Sequence, residues 1–494
     1  MISLFLKTPS MLRPWLLLSL LTTGLHAADA VLHRTIDLNI GETQQVTFAD
    51  GTKAQVKLLK VDEQRDAVIN TLAGAVVTVE INGQRAELTS GNYRLPVPVG
   101  GVQADAPAVQ AYMKDTDFDW WVLRKDARVR VWPAGSPWVQ PGSFLYPVKQ
   151  HWFASMTWYS GEPVGRGARP AAKVYYHAGM DMSGAEGMIE VVAATDGFVL
   201  SRGTEVAPGA PHPAVKSRYD VVYLRDSRDW VYRYSHLITI DPAVRVGGRV
   251  KQGQRLGYIG KEGTSGGWTH LHFHAESLQP SGKWGVEDSY AFLWQAYREQ
   301  YDPAIMAVAR PHQKVLAHKP VTLDASRSWA KKGVRSFEWT FADGTTATGP
   351  TVTRVYDRPG FYSEVVKITD NAGNFDYDFA SVFVFAGAQP DGTVALSWVH
   401  ATYAPTFGLK PGDPVVFRSR AFEFPTGADT FDFGDGTPVA SVPSNIDPAQ
   451  HATNGYGMVV HHYQKPGLYL VRVTRQNPAN GWTATQHLRV QIEP

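Results

Sequence analysis

The residues of this sequence with a spacing that suggests chemistry are histidines and one aspartate. Six of the 16 histidines fall between residues 177 and 274, and five of these, all but His212, stand in segments that suggest chemistry. His177 and Asp181 stand in Tyr176-His177-Ala178-Gly179-Met180-Asp181, and His236 stands in Tyr234-Ser235-His236-Leu237. The other three follow in Thr269-His270-Leu271-His272-Phe273-His274. Imidazole is the side chain that exchanges protons near neutral pH and also the commonest metal ligand. Cysteine is absent, which removes disulfides, thiolate zinc fingers, iron–sulfur centres and cysteine nucleophiles together. Any metal site must therefore be built from His, Asp and Glu.

Segment 269–274 alternates, so as a strand it shows His270, His272 and His274 on one face and Leu271 and Phe273 on the other. A Zn²⁺ ion would take a ligand from that His face and others from across the sheet. His177 and Asp181 can supply a nitrogen and an oxygen, giving the three protein ligands and open fourth position of a catalytic site. The spare imidazoles would then lie near the reacting water and move protons. Two other chemistries fit less well. Gly263-Thr264-Ser265-Gly266-Gly267 satisfies G-x-S-x-G formally, but a nucleophile elbow opens a helix and here an alternating strand follows. Neither an H-E-x-x-H helix nor a phosphate-binding G-x-x-x-x-G-K-[ST] loop occurs. Trp268, beside the His strand, is the aromatic expected near substrate.

The order His-x-Gly-x-Asp, Tyr-x-His-Leu, Gly-x-x-His-Leu-His-Phe closely resembles the lysostaphin-type (LytM-like) zinc endopeptidases. Val192-Ala193-Ala194-Thr195-Asp196-Gly197-Phe198-Val199, Gly253-Gln254-Arg255-Leu256-Gly257-Tyr258-Ile259-Gly260 and Gly263-Thr264-Ser265-Gly266 resemble the family's intervening motifs. The resemblance spans roughly residues 170–280 and implies a β-sheet catalytic domain. It implies that His177, Asp181 and His272 hold Zn²⁺ and that His236 and His270 flank the water and the oxyanion. His274 departs from the family, which places Glu there, and is either a supporting partner or a competing ligand. The family cuts peptide bonds in peptidoglycan stems and cross-bridges, and some members cut Gly-rich extracellular proteins.

The elements that must position these residues are mainly strands. Residues 31–140 show short alternating runs separated by Asp50-Gly51, Asn82-Gly83 and Gly91-Asn92, which predicts an N-terminal antiparallel β domain without chemistry of its own. The Pro, Gly and Trp-rich passage from Trp132 to Val164 reads as a seam, which sets the catalytic domain at 141–302. One helix is predicted at its end, from Tyr290, Phe292, Leu293, Ala296 and Tyr297 at helical spacing before Pro303. Two further units, 303–387 and 388–494, repeat one order of motifs: Phe341-Ala342-Asp343-Gly344 and Phe433-Gly434-Asp435-Gly436, then Tyr356-Asp357-Arg358-Pro359-Gly360-Phe361-Tyr362 and Tyr463-Gln464-Lys465-Pro466-Gly467-Leu468-Tyr469. Both resemble PKD-type immunoglobulin-like β-sandwiches, the second divergently. Their motifs are turn and packing signals, so they are expected to be dispensable for chemistry and to serve targeting.

Lys7 and Arg13, the apolar run from Trp15 to Leu25 and Ala27-Ala28-Asp29-Ala30 read as a signal peptide over residues 1–30, cleaved after Ala27 or Ala30. Export to the periplasm or the medium follows, with no membrane span once it is removed. With 48 Lys and Arg against 46 Asp and Glu, the formal charge is +2, without the basic excess of a nucleic-acid binder. The expected protein is an exported zinc endopeptidase of peptidoglycan peptides. The alternatives are an endopeptidase of Gly-rich extracellular protein, or a non-catalytic scaffold that binds wall or matrix.

Overall fold

The computed structural model describes residues 30–91, 94–165, 174–209, 215–388, 397–425, 427–444, 455–478 and 481–494. The expected signal peptide lies outside them but for its last residue, Ala30. The chain is mainly β, and its described strands pair antiparallel with two exceptions. No helix among the described residues is long and apolar enough to cross a membrane.

The N-terminal unit is two four-stranded antiparallel sheets. Its turns follow the sequence: Asn82 and Gly83, at φ of 50° and 80°, join Leu72–Ile81 to Gln84–Ser90, the two-residue turn whose backbone twist matches paired strands. The core of this unit does not end at its own sheets, because Val174, Tyr176, Ala178 and Val286 pack into it. A buried cluster ties it to the region beyond: the Arg130 guanidinium lies 2.5 Å from Asp105 and 2.7 Å from Glu287.

At the centre is a nine-stranded antiparallel sheet. Six of its strands run in the spatial order Gly197–Arg202, Val222–Arg225, Val231–Ser235, His270–Leu278, Met180–Ser183 and Thr157–Trp158, the last at an edge. Leu271 and Phe273 are fully buried on its inner face, each worth about 1.5–3 kcal/mol against exposure. That burial fixes the register of the His270–Leu278 strand, since a slip of one residue would turn its histidines inward. The helix Tyr290–Tyr301 packs Tyr290, Phe292, Leu293, Trp294, Ala296 and Tyr297 against the same core and ends at Asp302, whose backbone turns left-handed at φ 47° just before Pro303.

The passage from Trp132 to Val164 is no exposed linker. Val139, Phe144, Tyr146, Val148, Trp152, Phe153 and Tyr159 are buried in the central core, so its aromatic side chains pack the interior despite the turn-rich backbone.

The two C-terminal units share a second nine-stranded sheet. The strands Gly360–Asp370 and Thr483–Ile492, one from each unit, pair in parallel at Gly360 with Thr483 and Phe361 with Ala484. The second unit also packs on the rest of the chain: Val68, Ile69 and Met156 lie in its core cluster.

Candidate metal centre

Asp181 is on Met180–Ser183, opposite His272 in the antiparallel ladder, and Ser183 is opposite His270. On the other side of the His strand, Ser235 is opposite His272 and Arg233 opposite His274. Alternation therefore brings Asp181, His270 and His272 to one face, and His177 joins them from the turn before Met180–Ser183. Gly179 makes that turn possible. Its φ is 97°, and a Cβ there would sit 2.5 Å from the carbonyl oxygen of Phe273, so only glycine lets the two backbones approach.

Three ligand atoms converge. His177 Nε2 is 3.1 Å from His272 Nδ1 and 3.0 Å from Asp181 Oδ1, and His272 Nδ1 is 2.8 Å from Asp181 Oδ1. Zinc–nitrogen bonds of about 2.0–2.1 Å in a tetrahedron place neighbouring ligand atoms roughly 3.3 Å apart, so the trio fits a single ion with little adjustment. It is also the group among the described residues whose side chains could hold a metal. His177 is oriented for this role: its Nδ1 donates to Tyr159 O at 3.2 Å, leaving Nε2 to point at the trio. The neighbouring Tyr176 fixes the segment from the N-terminal unit, accepting Leu72 N–H and donating to Asp115 Oδ2, both at 2.8 Å.

His236 and His270 complete the site, with ring centroids 4.6 Å apart. His236 Nδ1 lies 2.6 Å from Glu262 O, and His270 Nδ1 lies 3.1 Å from Trp268 O. A carbonyl only accepts, so Nδ1 carries the proton in both rings and Nε2 is the exchanging atom. His270 Nε2 is 3.4 Å from Asp181 Oδ2. His236 is itself at φ 68°, a conformation that a non-glycine residue adopts at some cost. Its N–H donates to Asp220 Oδ2 at 2.9 Å, and Asp220 is held in turn by Arg218.

The electrostatics follow from burial among these partners. Burial alone would raise the Asp181 carboxyl, but the imidazoles of His177 and His270 outweigh it and hold the group well below its ordinary range. His177 is shifted upward, because Asp181 overcomes the desolvation that opposes its charge. Burial pushes His272 far down and His270 down to about 3, with Asp181 only partly offsetting it. His270 and His272 are thus neutral at pH 7, the state that a ligand or a proton acceptor needs.

His274 stays outside the trio. Its Nε2 lies 3.2 Å from Glu276 Oε1, and its ring is 5.8 Å from that of His272. Trp268 is buried and stacked on His270, centroids 3.8 Å apart at 19°. It is a support for that ring more than an exposed aromatic surface. Asp220, Arg218 and the carbonyls of Tyr159 and Glu262 were not singled out from sequence. Asp220 stands 16 residues before His236 in no recognisable motif.

Three segments of the chain match known domain families. Residues 175–282 match the model of Peptidase family M23, and residues 302–384 and 400–490 match PKD domain models. The chain therefore carries an M23 peptidase domain of LytM type followed by two PKD domains. No curated protein matches the chain. Among solved structures, Helicobacter pylori Csd3 in its orthorhombic crystal aligns at 14% identity over 53% of this chain and 82% of that one, with a TM-score of 0.21. The fibronectin(III)-like modules of Clostridium thermocellum CbhA align at 12% identity over 38% and 94%, with a TM-score of 0.15. Likenesses this low carry no argument.

Proposed function

We propose that this chain is an exported zinc-dependent endopeptidase that hydrolyses peptide bonds in peptidoglycan stems or cross-bridges. The observation that carries the reading is the convergence of His177 Nε2, Asp181 Oδ1 and His272 Nδ1 to within 3.1 Å, inside the segment that matches Peptidase family M23. His177, Asp181 and His272 would hold the ion. When bound, Zn²⁺ supplies Lewis acidity, which polarises a carbonyl and lowers the pKa of water towards about 7.

The protein's own groups do the rest. His270 presents its Nε2 beside the trio, 3.4 Å from Asp181 Oδ2, and His236 sets its ring beside that of His270, each fixed through Nδ1 to a backbone carbonyl. One takes a proton from the attacking water, and the other donates to the oxyanion or to the leaving amine. The water oxygen bonds to the carbonyl carbon, the C–N bond breaks, and the proton ends on the new amine. The Asp220 carboxylate keeps His236 in its strained backbone conformation so that the ring faces its neighbour.

The test is zinc content of the purified chain together with turnover on isolated sacculi, soluble cross-linked peptides and elastin side by side. One zinc per chain and amine release from sacculi are expected. Cleavage of elastin alone would move the substrate to Gly-rich extracellular protein, and absence of both zinc and turnover would leave a binding scaffold.

A further inference from the structure

The second PKD domain reaches into the catalytic sheet through a closed ring of hydrogen bonds that begins and ends on one residue, Thr269. Thr269 N–H donates to the Tyr456 hydroxyl at 3.0 Å, and that hydroxyl lies 2.7 Å from His400 Nδ1. His400 Nε2 lies 2.6 Å from Ser183 Oγ, which donates to Thr269 O at 3.0 Å. The direction of every bond is set by its ends. A carbonyl accepts, so Ser183 spends its proton on Thr269 O and must accept from His400 Nε2–H. His400 then has a lone pair at Nδ1, which accepts the Tyr456 O–H, and the Tyr456 oxygen accepts from Thr269 N–H. The ring closes only with a neutral His400, and burial holds this imidazole far below its ordinary value.

His400 and Tyr456 belong to the 400–490 match, whereas Ser183 and Thr269 belong to the 175–282 match. The contact is built around the residue directly before His270. Arg420, also from the second PKD domain, donates to Gly267 O at 2.7 Å. Between these two anchors lies Trp268, edge-on to His400 at 5.3 Å and to Trp398 at 5.9 Å, with its other side stacked on His270. Gly267, Trp268 and Thr269 are thereby gripped by side chains from a domain more than a hundred residues downstream.

We propose that His400 and Tyr456 are positioning residues for the peptidase: through Thr269 and Trp268 they set where the His270 imidazole stands beside the metal trio. This role rests on the peptidase reading above, since it assigns His270 a part in proton transfer. Both residues lie outside the catalytic fold, so the active site is completed by the second PKD domain. A ring of neutral bonds among buried groups suits that task, because each member fixes its neighbour's direction.

The test uses the full-length chain with three substitutions, Tyr456→Phe, His400→Leu and His400→Gln. Zinc content, melting temperature, and kcat and KM on a soluble cross-linked peptide are measured for each. The His270 ring resonances are followed in histidine-labelled protein, assigned by the His270→Gln spectrum. Tyr456→Phe should keep zinc and KM, lower kcat by about 10-fold to 100-fold, the scale of a sub-ångström misplacement, and shift the His270 ring signals. His400→Leu should lose more. His400→Gln, whose amide N–H replaces Nε2–H toward Ser183, should recover part of that loss.

Unmoved His270 signals and unchanged kcat in folded Tyr456→Phe would overturn the proposal. So would equal losses in His400→Leu and His400→Gln that merely track the melting temperature. If His400→Leu does not fold, Tyr456→Phe decides, since it removes a single oxygen. If the unsubstituted chain turns over no peptide, the peptidase reading fails separately. The ring signals then decide the bracing alone, with a shift in Tyr456→Phe upholding it and no shift overturning it.

Discussion

Asp220 Oδ2 accepts the backbone N–H of His236 at 2.9 Å, and His236 is held there at φ 68°. A left-handed backbone costs a non-glycine residue about 1–3 kcal/mol, so the carboxylate stabilises a conformation that His236 would otherwise leave. The return is the direction of the imidazole, which lies 4.6 Å from His270 in centroid distance.

Asp220→Ala should therefore leave the metal trio intact and lower kcat by roughly 10²-fold, the scale of a lost acid–base group. Asp220→Asn, which keeps a carbonyl oxygen for the N–H, should lose less. Zinc content and turnover of both variants check this; loss of zinc in Asp220→Ala would contradict it.

The histidines of the Thr269–His274 segment should fail in different ways. His272→Ala removes one of three converging donors, so metal and activity should vanish together. His270→Ala should retain zinc and lose about 10²-fold to 10⁴-fold in rate. His274→Ala, whose partner is Glu276, should weaken metal binding by no more than about 10-fold to 100-fold. Metal analysis after dialysis, paired with peptide turnover, separates the three outcomes.

Stability should fall with rising pH in the first PKD domain. Burial raises the Glu364 carboxyl to about 7 from an ordinary 4.5, although its oxygen accepts Ala342 N–H at 2.7 Å. An acid whose folded value is raised contributes stability that is complete below about pH 4.5 and is lost as pH climbs through about 7. Glu364→Gln should remove this dependence and be the more stable form at pH 8, by up to about 3 kcal/mol. Denaturant unfolding of both forms at pH 5 and pH 8 gives the comparison.

Cutting the chain after Pro303 should not release an independent catalytic fragment. The sequence suggests dispensable C-terminal units, yet Val68, Ile69 and Met156 pack into the second unit's core, and the Arg310 guanidinium donates to Phe153 O and lies on Asp378. The truncated chain should expose these side chains and melt less cooperatively or aggregate. Calorimetry and limited proteolysis of the fragment measure it; a sharp, unshifted transition would contradict the expectation.

Much of the centre was legible because it is written in short segments. The alternation of 269–274 gave the face that His270, His272 and His274 share, and Leu271 and Phe273 gave the buried one. Tyr290 to Tyr301 announced a helix by its spacing and its stop at Pro303. The turn at Asn82-Gly83 likewise needs nothing beyond its own residues. What escaped was long-range. Trp152, Phe153 and Tyr159 sit among prolines and glycines, and turn chemistry says nothing about which aromatics fill a core. Asp220 acts through one backbone N–H, an interaction any acid could make. His400 carries no motif, and its significance depends on how a distant β-sandwich docks.

The parallel pairing of Gly360 with Thr483 and Phe361 with Ala484 also has a mechanical consequence. Two sandwiches that share a sheet cannot swivel about a linker like beads on a string, because bending between them would break ladder bonds and shear the twist that both inherit. The pair should diffuse and scatter as one stiff bar. Small-angle scattering would then give a single, sharp separation between the two centres of mass. Whatever surface the far end meets would hold the candidate metal centre at a set reach and angle, as a jig holds a blade.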